Sequence, residues 1–262
     1  MLINDATIVL TGAGSGIGRA LAQALSAKGG RLVLADLNAD GLEETKGLLE
    51  FPKQAHLIRA DVTNPVDRKA LVDKVEKEFG GLKILINNAG VLSVGRLEET
   101  DDAALELMMK VNVLAPMALC RDFTPLLKKA KPARIVNIGS MFGDIAFPLF
   151  AGYSATKFAI RGLSDALRRE LQADGVAVTY VAPRAAKTAA TSAFAHLVEP
   201  MKMKLDAPEV VAGNIVRAIE NDARSAYPMG VERFFVLVQR LFPGLVDGDI
   251  VKQLASVQNA KR

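Results

Sequence analysis

The stretch "ATIVLTGAGSGIGRALAQALSAKG", residues 6–29, decides how this chain folds. "ATIVLTG" (6–12) is a short apolar run that ends at a glycine, which reads as a buried strand. "IGRALAQALSAKG" (17–29) carries Leu and Ala on one stripe and reads as a helix. Between them lies "TGAGSGIG" (11–18). It misses the G-x-G-x-x-G spacing, because Ile17 stands where a third glycine is required. Its glycines still do the same physical work. Gly12 permits a tight turn, Gly16 lets backbone approach a phosphate, and Gly18 allows close helix packing. The helix N-terminus then offers free N–H groups and a positive dipole end to a pyrophosphate. Gly14, Ser15 and Ile17 complete this candidate loop. Taken alone, the stretch also fits a glycine-rich turn with no ligand.

The pattern continues outward. "RLVLAD" (31–36), "AHLIRAD" (55–61), "LKILINNAG" (82–90), "ARIVNIGS" (133–140) and "VAVTYVAP" (176–183) are further strand candidates. Helical patterns fill roughly 39–50, 65–79, 101–129 and 152–173. This alternation predicts an α/β fold with a parallel sheet of about seven strands and helices on both faces. The chain has 262 residues, 50% of them hydrophobic and 24% charged. No linker, charge block or repeat divides it, so one domain over 1–262 is expected. Within it, 184–207 reads as a substrate-loop region and 228–262 as a C-terminal helical extension.

The net charge of +4 is mild and spread along the chain, which is no nucleic-acid footprint. One cysteine and two histidines offer no metal-ligand spacing, so no metal is expected. The cysteine usage suggests a reducing, cytoplasmic setting. "MLINDATIVL" has no basic n-region and does not read as a signal peptide. The longest apolar runs, such as "FFVLV" (234–238), are too short to span a bilayer.

Asp36 ends the second strand, about twenty residues after the glycines, where a carboxylate accepts from both adenosine ribose hydroxyls. It would also repel a 2′-phosphate, and neither Ala13 nor Leu37 offers a compensating cation. NAD(H) is therefore preferred, with NADP(H) as the alternative. Arg19, within reach of a phosphate, is what keeps that alternative open. A helix-capping role for Asp36 is the plainer reading. In "RADV" (59–62), Asp61 suits an adenine amino group and Val62 the adenine ring. In "NNAG" (87–90), Asn88, Ala89 and Gly90 are cofactor candidates, though Asn-Ala-Gly is also ordinary turn chemistry.

"YSATK" (153–157) puts Tyr153 and Lys157 on one helix face. A free tyrosine is a poor base at neutral pH. A nearby ammonium and an oxidised nicotinamide would both favour phenolate. Tyr153 can then exchange a proton with a substrate oxygen while hydride moves to or from the nicotinamide. Ser140 ends a strand at the carboxyl edge, where its hydroxyl can donate to the same oxygen. Asn112 interrupts the apolar run "MMKVNVLAPMAL" and suits holding a water beside Lys157, and Pro116 disturbs the helix nearby. In isolation, a packed tyrosine with a solvated lysine would explain "YSATK" better; the ordered set overturns that.

That set resembles the short-chain dehydrogenase/reductase family over roughly residues 6–188. "TGAGSGIG", "NNAG", Asn112, Ser140 and "YSATK" match its cofactor motif, its sheet-stabilising motif and its Asn-Ser-Tyr-Lys set. The resemblance implies a single doubly wound Rossmann-type domain, a nicotinamide cofactor and alcohol/carbonyl redox chemistry. It also implies that Lys157 binds the nicotinamide ribose and that Asn112 supports a water-linked proton relay. The family often shows Pro-Gly after the sixth strand, with a threonine four residues past the glycine. Here Pro183 and Thr188 are kept as cofactor candidates, while Arg184 takes the glycine slot. Arg184 is read as pointing outward, or else touching the cofactor or an anionic substrate group. The C-terminal sequence departs from the family's tetramer-forming ending, so a homodimer is expected.

Phe142, Phe147, Leu149, Phe150, Phe194, Leu197, Met201 and Met203 are candidates for an apolar pocket. They imply a hydrophobic carbonyl or alcohol, lipid-derived or steroid-like, or else simply pack a mobile lid. His196 reads as a loop residue. Val231, Phe234, Phe235, Val238, Leu241 and Phe242 form a helical stripe in the extension. The stripe is expected to pack on the core or a second subunit, with peripheral membrane contact as the alternative. The reading that follows is an NAD(H)-preferring oxidoreductase of alcohols and carbonyls; a nicotinamide-binding sensor with little turnover is the alternative.

Overall fold

The computed structural model describes residues 1–228 and 230–259. In chain order the elements are β1 (Thr7–Thr11), α1 (Gly16–Ser26), β2 (Arg31–Asp36), α2 (Ala39–Gly47), β3 (Ala55–Arg59), α3 (Pro65–Phe79), β4 (Ile84–Asn87), α4 (Asp102–Met109), a π-helical turn (Lys110–Leu114), α5 (Ala115–Lys129), β5 (Ala133–Ile138), α6 (Ala151–Glu170), β6 (Val176–Val181), α7 (Ala195–Val198), α8 (Pro208–Glu220), β7 (Ser225–Ala226), α9 (Glu232–Leu241) and α10 (Pro243–Asn259). They form one α/β domain. Its sheet has seven strands in the order β3-β2-β1-β4-β5-β6-β7, all pairs parallel.

The central strands are mostly apolar on both sides because both faces of the sheet are covered. In β1, Ile8 and Leu10 point to one side, where Leu21 and Leu25 of α1 and Ile215 and Ile219 of α8 meet them. Val9 points to the other side, onto Leu71 and Val75 of α3 and Leu119 and Phe123 of α5. Strand order reverses between β1 and β4, so a crevice opens at their carboxyl ends. One polar ladder crosses the sheet. Asn87 donates to Asn137 at 2.8 Å, and Asn137 to Ser164 at 2.9 Å. Asn87 also donates to the buried Cys120, whose thiol burial pushes up to about 12.

Local chemistry sets the helix ends. The Asn64 side chain accepts from the Val66 N–H at 2.8 Å, Pro65 opens α3, and Gly80 closes it at φ +69. The 101–129 helix contains a widened turn at Lys110–Leu114, beside the disturbance expected from Pro116. Pro116 has no N–H for the Asn112 carbonyl four residues earlier, and the ladder shifts to five-residue bonding around Asn112. From Asp102 to Lys129 this helical run is 28 residues long, and by length and composition it could cross a bilayer. That corrects the expectation that no segment reaches this length. Leu119, Phe123 and Leu127 nevertheless pack in the core. β7 was not among the strand candidates; "SA" carries no apolar run, and the strand exists only by pairing with Tyr180 and Val181.

The 228–262 extension is helical across its described residues after Gly230. Its apolar stripe does not pack on the core, contrary to one expectation. Phe234, Phe235, Leu241 and Phe242 are exposed, and Val236 is the buried residue of α9.

Gly18 fixes the seating of α1. A Cβ there would lie 1.9 Å from the Gly12 carbonyl oxygen. Gly18→Ala is therefore expected to cost about 3 kcal/mol or more, because backbone must move. Thermal unfolding should show a melting temperature roughly 6–12 °C lower; an unchanged melting temperature would contradict this packing.

Candidate active site

The glycine loop is tied to the end of β4. The Asn88 amide donates to the carbonyls of Thr11 (2.9 Å) and Gly12 (3.0 Å). The Thr11 hydroxyl in turn accepts from the backbone N–H of Asn88 and Ala89. Gly12 (φ +67) and Gly16 (φ +52) take the left-handed conformations that glycine allows freely. A Cβ on Gly12 would come within 2.8 Å of Ala89, and one on Gly16 within 3.1 Å of the Thr188 methyl. Ser15 stands at the N-cap of α1 but its side chain caps nothing, so the helix N-terminus keeps free N–H groups.

These groups open on one cavity of about 880 Å³ at the carboxyl ends of the strands. Ser15, Gly16, Ile17, Asp36, Asp61, Val62, Gly90, Pro183 and Thr188 line it together with Ser140, Tyr153 and Lys157. Gly14 lies behind, donating its N–H to Asp36 at 2.8 Å. The other Asp36 oxygen accepts from Asn38 at 2.9 Å. Asp61 accepts from the backbone and hydroxyl of Thr63, which fixes its carboxylate at the rim. Arg19 is taken up elsewhere. It donates to the Gly14 carbonyl and pairs with Glu44, both at 2.6 Å.

The four candidate catalytic residues come from three elements. Ser140 follows β5 and accepts from the Phe142 N–H at 3.1 Å. Tyr153 and Lys157 share the first turns of α6, with the ammonium 5.4 Å from the tyrosine ring centroid. Lys157 donates to the Ile138 carbonyl at 3.0 Å. Asn112, in the widened turn, exchanges hydrogen bonds with the backbone of Val91 at 2.8 Å each way and donates to Thr156. The point where Gly90 would carry a Cβ lies 3.3 Å from the Asn112 oxygen and 3.8 Å from both the Lys157 nitrogen and the Asn88 carbonyl. Three polar atoms thus converge beside the tyrosine's helix.

Electrostatics here differ from expectation. Burial pushes the Tyr153 phenol up to about 12, opposed by its hydrogen bond with Ser140. Burial pushes Lys157 down to about 8. The lysine sits over the ring rather than at the hydroxyl, so in the protein alone it does not lower the tyrosine.

Sequence reading missed the support behind Ser140. The Tyr180 hydroxyl donates to the Ser140 carbonyl at 3.1 Å, and Gly139 and Gly143 leave the room its ring and hydroxyl occupy. Asp144, fully enclosed, pairs with Arg161 and Arg240 and accepts from Tyr180 and Tyr227. Asp144 lay inside a stretch read as apolar lining, and nothing in one dimension joins it to Arg240. Arg184 corrects one reading given for it. It does not point outward: it pairs with Asp206 at 3.0 Å and with Glu232, and it lines the cavity wall.

The eight apolar candidates gather in one cluster with Tyr153. Phe142, Phe147, Phe150, Phe194, Met201 and Met203 line the cavity, while Leu149 and Leu197 pack behind. Ala186 pairs with Asp206 and so closes the 184–207 segment into a loop. His196 is exposed. Val231 and Phe235 of α9 and Gln253 of α10 also reach the cavity wall, a role no sequence pattern signalled. Among the described residues no group of acids, histidines and cysteine could hold a metal.

Comparison with known proteins follows the same lines. The family model described as short chain dehydrogenase matches residues 6–197. Human estradiol 17-beta-dehydrogenase 11 is 31% identical over 243 residues, covering 90% of this chain and 79% of that protein. A short-chain dehydrogenase/reductase from Burkholderia phymatum in complex with NAD superposes with a TM-score of 0.85 at 26% identity, covering 94% of this chain and 96% of the other. A Burkholderia cenocepacia dehydrogenase in complex with NADP shares the fold, with a TM-score of 0.81 at 23% identity over 95% of this chain and 99% of its own. The chain belongs to the short-chain dehydrogenase family. It is an oxidoreductase that acts on CH–OH groups with a nicotinamide cofactor.

The buried lysine makes a testable contribution to stability. Its folded pKa of about 8 lies below its ordinary ~10.4, so between these values the unfolded chain binds more protons. Stability from this group therefore rises with pH from about 8 upward. Lys157→Met removes that slope and should be the more stable protein at pH 7 by on the order of 3 kcal/mol. Denaturant unfolding at several pH values up to about 9.5, below ordinary tyrosine titration, reads the difference. A pH-independent gap would contradict the burial.

Proposed function

We propose that the protein interconverts an alcohol and a ketone or aldehyde on a hydrophobic, lipid-like or steroid-like substrate, and prefers NAD(H). One observation carries the substrate class: the apolar cluster, drawn from several separate segments, has Tyr153 as a member, so the proton-transfer group borders an apolar chamber. The estradiol dehydrogenase relative is in keeping with it.

The glycine loop, Asp36, Asp61 and Val62, Asn88 to Gly90, Pro183 and Thr188 would hold the dinucleotide, and Lys157 its nicotinamide ribose. When bound, the nicotinamide supplies or accepts the hydride. Tyr153 moves the proton to or from the substrate oxygen, and Ser140 donates a hydrogen bond to that oxygen. Lys157 and Asn112 support a relay through the point on which their polar atoms converge. The preference for NAD(H) rests on Asp36 at the rim and on Arg19 being held by Glu44 instead of standing free for a 2′-phosphate. A homodimer would cover the apolar residues left exposed on neighbouring helical turns, namely Leu107, Leu114, Met117 and Phe158.

Oxidation of NADH and NADPH with ketones and aldehydes graded by chain length tests the reading. Turnover is expected to rise with chain length and to fall roughly a hundredfold or more in Tyr153→Phe. NADH should be favoured about tenfold or more, a repulsion of ~1–2 kcal/mol between carboxylate and phosphate. Faster turnover of small polar substrates would overturn the substrate class. Cofactor binding without turnover on any of them would favour the sensor reading.

A further inference from the structure

We propose that α9 is a docking element for an anionic lipid surface, which would hold the mouth of the cavity against that surface. The helix is amphipathic in the inverted sense. Two of its charged side chains are tied to the protein: Glu232 pairs with Arg184, and Arg240 with Asp144. Gln239 has a buried side-chain oxygen, and Val236 completes the inward stripe. Its large apolar side chains face outward. Phe234 is 63% exposed, Leu237 52% and Leu241 61%, and Phe242, just past the helix end, 60%. Ion pairs thus seat the helix so that the face a core would normally bury remains uncovered.

Charge selects the occupant. The exposed charges on α9 are cationic, Arg233 and the half-exposed Arg240, and its one acid is turned inward against Arg184. Lys202 and Lys204 line the nearby cavity, which Val231 and Phe235 of α9 also border. On α10, Asp249 lies 3.7 Å from Lys252 and Asp247 is also exposed, so the cationic charge lies on α9 and at Lys202 and Lys204. A ten-residue helix is ~15 Å long, which suits a helix lying in the headgroup region. Delivery of an apolar substrate from the bilayer rests on the function proposed above; the docking itself does not.

Flotation of the full chain with vesicles tests this without any substrate. Vesicles of phosphatidylcholine alone are compared with phosphatidylcholine and phosphatidylglycerol in equal parts. The protein should float with the anionic vesicles. Phe234→Ser combined with Phe242→Ser should lower the bound fraction at least about tenfold, and Arg233→Glu should weaken the binding to anionic vesicles. Unchanged melting and cofactor binding in the variants would show that they remain folded. A protein that stays in the soluble fraction with both vesicles, or floats equally with both, overturns the proposal. So does a native mass by light scattering that halves in the double variant, which would assign the face to a second copy. Intact flotation in a protein that turns over no lipophilic substrate would support the docking while sinking the function reading alone.

Discussion

One side-chain amide holds the functional end of this molecule together. The Asn88 amide reaches from the end of β4 to the carbonyls of Thr11 and Gly12 at the end of β1. It fixes the glycine loop at the point where the strand order reverses. Without that tie, two polar carbonyls in a tight turn would lack partners beside a cavity. The loop geometry, the free N-terminus of α1 and the seat of Thr188 against Gly16 all follow from its position.

A second constraint is the burial of charge. Lys157 is 5% exposed and accepts the cost of an ammonium in a poorly hydrated place. The carbonyl of Ile138 offsets part of it. Burial raises the neighbouring phenol at the same time, so in the protein alone the pair is poised with a protonated tyrosine and an easily deprotonated lysine. Pairs of groups whose surroundings move them from their ordinary values are what proton-transfer sites require. The network of Tyr180 and Asp144 then fixes the backbone from which Ser140 acts.

The C-terminal extension is held by charge rather than by apolar packing alone. Arg184, in the position where the family often has glycine, joins Asp206 and Glu232. Arg240 joins the Asp144 cluster behind Ser140. The same ion pairs that seat α9 make its wall of the cavity and leave its apolar face outward.

The sequence by itself determined the strand–helix alternation, the parallel sheet and the order of the site motifs. Those depend on near-neighbour spacing: period and run length, the φ freedom of glycine, and the Tyr–Lys step along one helix face. The bounds of α3 were legible because Asn64, Pro65 and Gly80 are local punctuation. Only the tertiary structure decided the rest. β7 exists because β6 offers it an edge. The direction of the Tyr153 shift depends on how deeply the ring is enclosed, and the inversion of α9 depends on partners 48 and 96 residues away, at Arg184 and Asp144. Burial and long-range charge pairing are properties of the assembled fold, and no local pattern encodes them.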